Sequence, residues 1–292
     1  MSHKAGFVSI IGKPNVGKST LMNRMLGEKL SIVSPKAQTT RHRIKGILNG
    51  EDFQIVFSDT PGIIEPHYLL HDKMMEFVTA SLADADAVLF ITDLTETYMD
   101  EQMMQRLTAI KIPVIVVINK VDISSQDEIN KLVHGWKKKL NPRAVIPVSA
   151  MTDFNTDKIK ETILEMLPEA PAFFPKDDLS DQSERFFVAE IIREKIFLNY
   201  EKEIPYSTEV GIEEFKEEKD IIRIRAIIFV ERDSQKGIII GNKGESIKRV
   251  GTQARKDIES FLGKKVFLDL FVKVEKEWRK NEIKLKRFGY TL

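Results

Sequence analysis

Hydrophobic residues in the first 167 positions form two alternating kinds of segment. Short apolar runs rich in β-branched and aromatic residues predict five strands, at residues 7–11, 53–57, 87–91, 113–118 and 144–148. Between most of these runs lie amphipathic stretches whose apolar side chains recur at helical spacing, as at Ile129, Leu132 and Trp136. Strands that are apolar throughout and separated by helices indicate a mainly parallel sheet covered on both faces.

The pattern changes after residue 167. Pro168, Pro171 and Pro175 fall within eight residues and are followed by a polar run at residues 176–183. Because closely spaced prolines stop a helix and stiffen an extended chain, we predict an interdomain linker over residues 168–183.

Residues 184–292 have a different order of elements. The pattern predicts a helix, an antiparallel pair of strands, a helix–tight loop–helix unit, a further strand and a helical tail, at residues 185–200, 207–215, 221–230, 237–262, 266–274 and 276–287. The predicted fold class is therefore an α/β domain at residues 1–167 followed by an α+β domain at residues 184–292.

Length and composition narrow the classes of protein. At about 100–200 residues per domain, 292 residues agree with two domains. The chain has no cysteine, which excludes a disulfide scaffold, a thiolate zinc site and a cysteine nucleophile. Its longest strongly apolar runs are far shorter than the ~20 residues that span a bilayer, and its first residues lack a secretory signal. We expect a soluble, cytoplasmic protein.

Charge is unevenly distributed along the chain. Forty-five Lys and Arg residues against forty-four Asp and Glu give a net charge of +1. Residues 232–292 hold sixteen basic and eight acidic residues, net +8, so the preceding residues carry −7. A basic end on a neutral protein favours binding of a polyanion, and a merely solvated helical face is the alternative.

The segment Gly12–Ser19 reads GKPNVGKS, which matches the phosphate-loop pattern G-x-x-x-x-G-K-[ST] directly after a predicted strand. Glycines let backbone N–H groups turn towards phosphate oxygens, and the next helix begins with its positive dipole end. We expect Lys18 to reach the β- and γ-phosphates and Ser19 to bind Mg²⁺. The predicted phosphate-site residues are Gly12, Lys13, Pro14, Asn15, Val16, Gly17, Lys18, Ser19 and Thr20.

Three later segments follow predicted strands and complete a nucleotide site. Residues 59–62 read DTPG, in which Asp59 can hold Mg²⁺ and the Gly62 N–H can sense the γ-phosphate. Residues 119–122 read NKVD, whose Asp122 carboxylate can accept hydrogen bonds from N1–H and N2–H₂ of guanine, which adenine lacks. A backbone N–H after the fifth strand can reach guanine O6. The predicted contacts are Asp59, Thr60, Pro61, Gly62, Ile63, Asn119, Lys120, Asp122, Ser149 and Ala150.

These motifs resemble a small GTPase-type G domain, and more narrowly the TrmE–Era–EngA branch, which carries Thr-Thr-Arg in its first switch. Here those residues are Thr39, Thr40 and Arg41, and an ordinary polar loop is the alternative. The resemblance implies that Thr40 rather than Thr39 binds Mg²⁺, so that the metal ligands are Ser19, Thr40 and Asp59. It also implies that Lys18, Thr40 and Gly62 serve the hydrolysis of GTP to GDP.

One position departs from Ras-like enzymes, which carry a water-orienting glutamine after D-x-x-G. Here that position is Ile63, which can neither donate nor accept a hydrogen bond. We therefore expect slow intrinsic hydrolysis. Asn15 matches an asparagine that coordinates K⁺ in related enzymes, so the resemblance implies a role for K⁺.

The second domain contains the pattern G-x-x-G at residues 241–244, between two predicted helices. In KH modules such a loop approaches the backbone of four nucleotides, and a structural helix–turn–helix is the alternative. Residues 240–256 resemble the type II KH domain of the Era family. The predicted RNA contacts are Ile240, Gly241, Asn242, Lys243, Gly244, Lys248, Arg249 and Arg255.

The resemblance to the Era family covers nearly the whole chain. It implies binding of single-stranded 16S ribosomal RNA near its 3′ end, action in assembly of the small (30S) ribosomal subunit, and peripheral contact with the inner face of the cell membrane. We expect a monomer. A rival is an RNA chaperone that holds GTP with negligible turnover, and an ATP-dependent enzyme is disfavoured by Asp122.

Two other features have structural explanations. His67 and His71 have the i, i+4 spacing of a metal pair but no evident third ligand, so we assign them to a solvated helix face. Trp278, in the basic tail, either packs on the fold or contacts RNA, and we favour packing.

Overall fold

The computed structural model describes residues 3–94 and 101–291. Its larger sheet has the strand order β2-β3-β1-β4-β5-β6, and all neighbours are parallel except β2 and β3. The strands are β1 (Lys4–Ile11), β2 (Ile44–Asn49), β3 (Phe53–Asp59), β4 (Ala87–Thr92), β5 (Val114–Ile118) and β6 (Ala144–Pro147). The helices of this part are α1 (Lys18–Leu26), α2 (Leu69–Ala83), α3 (Glu101–Ala109), α4 (Gln126–Leu140) and α5 (Thr156–Met166).

Both faces of this sheet are packed. Successive side chains of a strand point to opposite faces, and in β4 the fully buried Leu89 joins one hydrophobic cluster while Val88 and Phe90 join another. Strand β4 is buried at every position. This explains why the central strands are apolar throughout.

Strand β2 was not predicted from the sequence. It pairs antiparallel with β3 at the edge of the sheet, from Ile44 opposite Asp59 to Asn49 opposite Gln54. Its sequence, IKGILN, is short and includes Gly46 and polar residues, so it lacks the continuous apolar run of the central strands.

The predicted linker runs along this edge strand. The Ile47 N–H donates to the Leu179 carbonyl at 2.9 Å, and the Ser180 hydroxyl donates to the Lys45 carbonyl at 2.5 Å. The Phe173 N–H donates to Gln54 Oε1 at 2.7 Å. The segment therefore covers backbone groups that an edge strand would otherwise expose.

The remaining elements form a separate three-stranded sheet with helices on one face. Strand β8 is central, antiparallel to β7 and parallel to β9. The elements are α6 (Glu184–Asn199), α7 (Ile204–Ser207), β7 (Glu209–Glu217), β8 (Ile222–Val230), α8 (Asp233–Ile240), α9 (Glu245–Leu262), β9 (Val266–Val274) and α10 (Glu282–Arg287). Buried β8 side chains such as Ile224 and Ile228 pack with Ile192 of α6 and Ile258 of α9.

The C-terminal tail, residues 278–290, packs against α2 of the first part. Trp278 is fully buried, its Nε1–H donates to the Ser207 carbonyl at 3.0 Å, and it shares a hydrophobic cluster with Met74 and Phe77. This contact agrees with the packing favoured for Trp278. No helix within the described ranges is long and apolar enough to cross a membrane.

Candidate nucleotide site and nucleic-acid interface

The phosphate loop connects β1 to α1 in a shape that its glycines permit. Gly12 has φ +151° and Gly17 has φ +95°. A Cβ on Gly12 would lie 2.2 Å from the Ile91 carbonyl oxygen, and one on Gly17 would lie 2.2 Å from Asn119 Nδ2. Lys18 curves back over the loop, where its ammonium donates to the carbonyls of Gly12 at 3.1 Å and Lys13 at 2.8 Å. Its charge thus lies at the loop, as phosphate binding requires.

Three oxygen-bearing side chains meet beside this loop. The Ser19 hydroxyl lies 2.9 Å from the Thr40 hydroxyl and donates to Asp59 Oδ2 at 2.6 Å. Asp59 is fully buried, its Oδ1 has no hydrogen-bond partner, and burial raises its pKa. A buried carboxylate oxygen without a donor, next to two hydroxyls, suits a hard cation such as Mg²⁺. The donor set predicted for Mg²⁺ is therefore brought together.

Thr39 and Thr40 have different surroundings. The Thr39 hydroxyl donates to the Lys36 carbonyl at 2.7 Å and lies 2.7 Å from the Ser34 hydroxyl. Only Thr40 faces the Ser19–Asp59 pair.

The loop at residues 59–62 packs directly on the phosphate loop. A Cβ on Gly62 would lie 2.8 Å from Pro14 Cα, and the Ile63 N–H donates to the Gly12 carbonyl at 3.1 Å. Thr60 is buried, and its hydroxyl donates to the Ile10 carbonyl at 2.7 Å. The Ile63 side chain packs with the cluster that contains Ile11, so it supplies no polar group for a water molecule.

The Asn119 side chain holds two loops together. Its Nδ2 donates to the Val16 carbonyl at 2.8 Å, and its Oδ1 accepts from the Ala150 N–H at 3.0 Å. Asn119 therefore joins these two loops. The bond to Val16 uses only one of the two N–H groups of Nδ2, so the expected contact of Asn119 with guanine stays a prediction. Asp122 is exposed, as a carboxylate that is predicted to contact a base must be.

The backbone N–H groups of residues 149 and 150 also make hydrogen bonds within the protein. The Ser149 N–H donates to the Phe154 carbonyl at 3.1 Å, and the Ala150 N–H donates to Asn119. Guanine O6 would have to share one of these N–H groups with its protein acceptor, and this contact stays a prediction. Lys120 also has a partner, because its ammonium lies 2.7 Å from Asp93 Oδ2.

The G-x-x-G loop lies between α8 and α9 with a tightly turned backbone. Gly241, Lys243 and Gly244 all have positive φ, at 71°, 47° and 81°. A Cβ on Gly244 would meet nothing within 4 Å, so this position faces open space. Asn242 and Lys243 are exposed at the tip. Such a loop leaves room for the close approach of a nucleic-acid backbone.

A groove of about 340 Å³ runs beside this loop between α9 and β9. Of the predicted RNA contacts, Lys248 and Arg255 line it. Arg249 does not, because its Nε donates to Asn199 Oδ1 of α6 at 3.1 Å. The remaining lining residues were not predicted from the sequence; they are Ile247, Gly251, Thr252, Leu268 and Leu270. For the α9 residues the sequence held a signal: positions 247, 251 and 255 are four residues apart and therefore lie on one face of the helix.

The pair His67 and His71 is not part of a metal cluster. Within residues 3–94 and 101–291, no group of three or more His, Cys, Asp or Glu side chains could hold a metal ion. His71 is buried rather than solvated, which corrects the helix-face assignment. Its ring lies 3.9 Å from that of Tyr68, which packs under the Arg279 guanidinium of the tail.

Comparisons with known proteins cover both parts of the chain. A family model described as "50S ribosome-binding GTPase" matches residues 7–120, and one described as "KH domain" matches residues 203–279. GTPase Era of Staphylococcus haemolyticus is 45% identical over 291 residues, which are 99% of this chain and 97% of that protein. The chain belongs to the Era family of GTPases. GTPase Era of Geotalea daltonii is 48% identical over 289 residues, 98% of this chain and 97% of the relative.

Two solved Era structures match the whole fold. Era in complex with MgGDPNP and nucleotides 1506–1542 of 16S ribosomal RNA is 42% identical, with a TM-score of 0.96 over 99% of this chain and 100% of that one. A variant of Aquifex aeolicus Era bound to GDP·AlF4⁻ matches with the same identity, coverage and TM-score. Membership of the Era family confirms the predicted fold class, a G domain followed by a KH domain, and the predicted GTPase activity.

Proposed function

We propose that this protein is a GTP-hydrolysing switch that binds single-stranded 16S ribosomal RNA near its 3′ end through its KH domain and acts in assembly of the small ribosomal subunit. The observation that carries the proposal is the pairing of two sites on one chain: the Ser19–Thr40–Asp59 cluster and the G-x-x-G loop with its basic groove. It is supported by the Era structure that contains both MgGDPNP and 16S RNA nucleotides.

In hydrolysis, water attacks the γ-phosphorus, the bond to the β-phosphate oxygen breaks, and GDP and phosphate leave. Lys18 and the loop N–H groups stabilise negative charge on the phosphates. Ser19, Thr40 and Asp59 would hold Mg²⁺, which neutralises charge on the β- and γ-phosphates when bound. Asp122 selects guanine. The apolar side chain of Ile63 cannot orient the attacking water, so hydrolysis by the protein alone is slow.

For RNA, the exposed Lys243, Lys248 and Arg255 attract the phosphate backbone, and the apolar floor of the groove accepts bases. The groove is lined by no aromatic side chain among the described residues, so recognition depends on hydrogen bonds and on shape rather than on stacking.

The remaining expectations are proposals of the same kind. We propose a cytoplasmic monomer that acts on the 30S subunit. We also propose that K⁺ binds near Asn15, whose Nδ2 donates to the Pro35 carbonyl at 3.0 Å. We also propose peripheral membrane contact through the basic tail, in which Lys284 and Arg287 pair with Glu275 at the end of β9.

The first experiment measures single-turnover GTP hydrolysis with and without an RNA oligonucleotide from the 3′ end of 16S ribosomal RNA, in potassium and in sodium. We expect RNA to stimulate hydrolysis and potassium to exceed sodium. In Gly244→Asp we expect the stimulation to be lost, because a carboxylate in the open space before the loop repels the phosphate backbone.

Gly244→Ala is the matched control, because it adds the same left-handed backbone strain without the charge. It should bind RNA better than Gly244→Asp. Binding of both ligands with an unstimulated, negligible rate would favour the RNA chaperone that holds GTP, and a protein that binds neither ligand would refute the proposed function.

A further inference from the structure

Thr40 and Arg41 are neighbours in the chain, but their side chains enter different domains. Thr40 faces Ser19 and Asp59 in the G domain. Arg41 is fully buried against the KH domain. Its NH1 donates to the Thr208 carbonyl at 2.7 Å, and its NH2 donates to the carbonyls of Pro205 at 2.9 Å and Tyr206 at 3.2 Å. These carbonyls belong to α7 and the residue after it.

The pocket around Arg41 is suited to a buried cation. A helix of one turn, such as α7, leaves most of its carbonyls without a partner inside the helix, so a buried guanidinium can donate to them. Arg41 NH1 also lies 3.2 Å from Glu209 Oε2 at the start of β7. Burial raises the pKa of Glu209, but the charges of Arg41 and Arg193 outweigh burial, and the net shift of this pKa is downward. Glu209 is therefore the anionic partner of Arg41.

Aromatic side chains close the same pocket. The Arg41 guanidinium lies 5.8 Å from the ring centroids of both Phe197 and Trp278. The Tyr290 hydroxyl donates to Glu209 Oε2 at 2.5 Å. His42, the next residue of the switch, stacks on Tyr290 with ring centroids 4.3 Å apart and planes 20° apart. The C-terminal tail thus holds the residues that directly follow Thr40.

We propose that Arg41 is a positioning residue, which holds Thr40 at the metal site by binding the α7 carbonyls and Glu209 of the KH domain. This inference rests on the proposed function for the nature of the nucleotide. Withdrawing the first switch from the KH domain would break the buried Arg41–Glu209 ion pair and remove the donor from the Pro205 and Thr208 carbonyls, which is unfavourable. Docking of the KH domain and placement of Thr40 are therefore linked, and the linkage is reciprocal.

The test compares the affinities of the protein for GDPNP and GDP, both with Mg²⁺, in the unaltered chain and in Arg41→Met. A switch threonine acts through the γ-phosphate and its metal, so GDPNP should bind about 10-fold more weakly in the variant while GDP affinity is unchanged. Arg43→Met is the matched control. Arg43 lies two residues away in the same segment, but its partners, Ser58 and Asp84, both belong to the G domain.

A second variant keeps the test decisive if Arg41→Met fails to fold. Glu209→Gln preserves shape and removes the charge that faces Arg41, far from any nucleotide contact. We expect a fall of about 3-fold in the GDPNP-to-GDP affinity ratio. A purely structural role would lower stability and leave this ratio unchanged.

A double variant tests the route of the effect. Arg41 acts through Thr40, so Thr40→Ala with Arg41→Met should lose no more GDPNP affinity than Thr40→Ala alone. Additive losses, or an unchanged ratio in both Arg41→Met and Glu209→Gln, would overturn the inference. If the unaltered protein bound neither GDPNP nor GDP, the proposed function itself would fail, which is a distinguishable result.

Discussion

Single side chains of the nucleotide site join separate segments of the G domain. Asn119 bonds the phosphate loop at Val16 and the loop after β6 at Ala150. Because these two bonds hold the Asn119 side chain in place, they also fix where the neighbouring Asp122 lies. Asp122 itself is exposed and available to a base. At the scale of the residue, Asn119 thus positions the motif in which Asp122 is predicted to read guanine.

The assignment of Asp122 to guanine predicts how Asp122→Asn changes the nucleotide preference of the protein. Loss of two charge-assisted hydrogen bonds to guanine should weaken GTP binding by about 3 kcal/mol, roughly 100-fold. The asparagine amide can donate to O2 of xanthine and accept from its N1–H, so affinity for xanthosine triphosphate should rise. Competition between the two nucleotides measures the change. A matched control is Asp127→Asn, an exposed carboxylate in the first turn of α4. Equal preference in Asp122→Asn and the unaltered protein would contradict the assignment.

At the scale of the element, helix α2 of the G domain also packs against the C-terminal tail. It starts a few residues after the Asp59–Gly62 loop. Its side chains Leu70, Met74 and Phe77 are buried by the C-terminal tail and are not exposed to solvent. His71 is buried on this helix, and its Nδ1 accepts from the His67 N–H at 3.3 Å. Burial lowers the pKa of His71 to about 4, and the charge of His67 adds to the shift.

Helix α2 therefore makes stability depend on pH. Between pH 6.5 and about 4 the unfolded chain binds a proton at His71 that the folded protein does not bind, so stability falls as pH falls. At pH 5 this group should cost ~2 kcal/mol relative to pH 7. Denaturant unfolding at the two pH values measures the loss, which His71→Gln should reduce. The control is His134→Gln on the exposed face of α4. An unchanged pH dependence in His71→Gln would refute the prediction.

At the scale of the whole molecule, the two domains share a buried interface. Trp278, Leu285 and Tyr290 of the tail are buried in one cluster with the α2 side chains. The predicted linker makes hydrogen bonds along β2 and is therefore fixed to the G domain. A buried apolar interface of this kind couples the stabilities of the domains that it joins.

We therefore expect the unaltered protein to unfold in one calorimetric transition. Trp278→Ala should cost about 3–5 kcal/mol and separate the transition into two, because the truncation removes the side chain at the centre of the interface. Trp136→Ala is the matched control, since Trp136 is equally buried but lies within the G domain. It should lower the transition temperature without dividing the transition. Two transitions in the unaltered protein would contradict the shared interface.

Much of this architecture could be predicted from local signals. Continuous apolar runs identified the five strands other than β2 in the first domain, and phosphate-loop residues are recognisable because only certain residue types can surround a phosphate. Strand β2 escaped notice because an edge strand needs only part of its length to be apolar. The hydrogen bonds of Arg249 and Asn119 could not be predicted, because they join residues 50 and 103 positions apart and no local pattern indicates such a contact.

The sequence by itself predicted the classes of chemistry: a phosphate loop, a carboxylate suited to Mg²⁺, an aspartate suited to guanine and a loop suited to a nucleic-acid backbone. These follow from residue type and short spacing, which act locally. Only the tertiary structure decided how the two sites are connected. The Arg41 guanidinium is 0% exposed in a pocket made of residues more than 150 positions away. A buried charge must find its partners wherever the chain brings them, and no local pattern records that place.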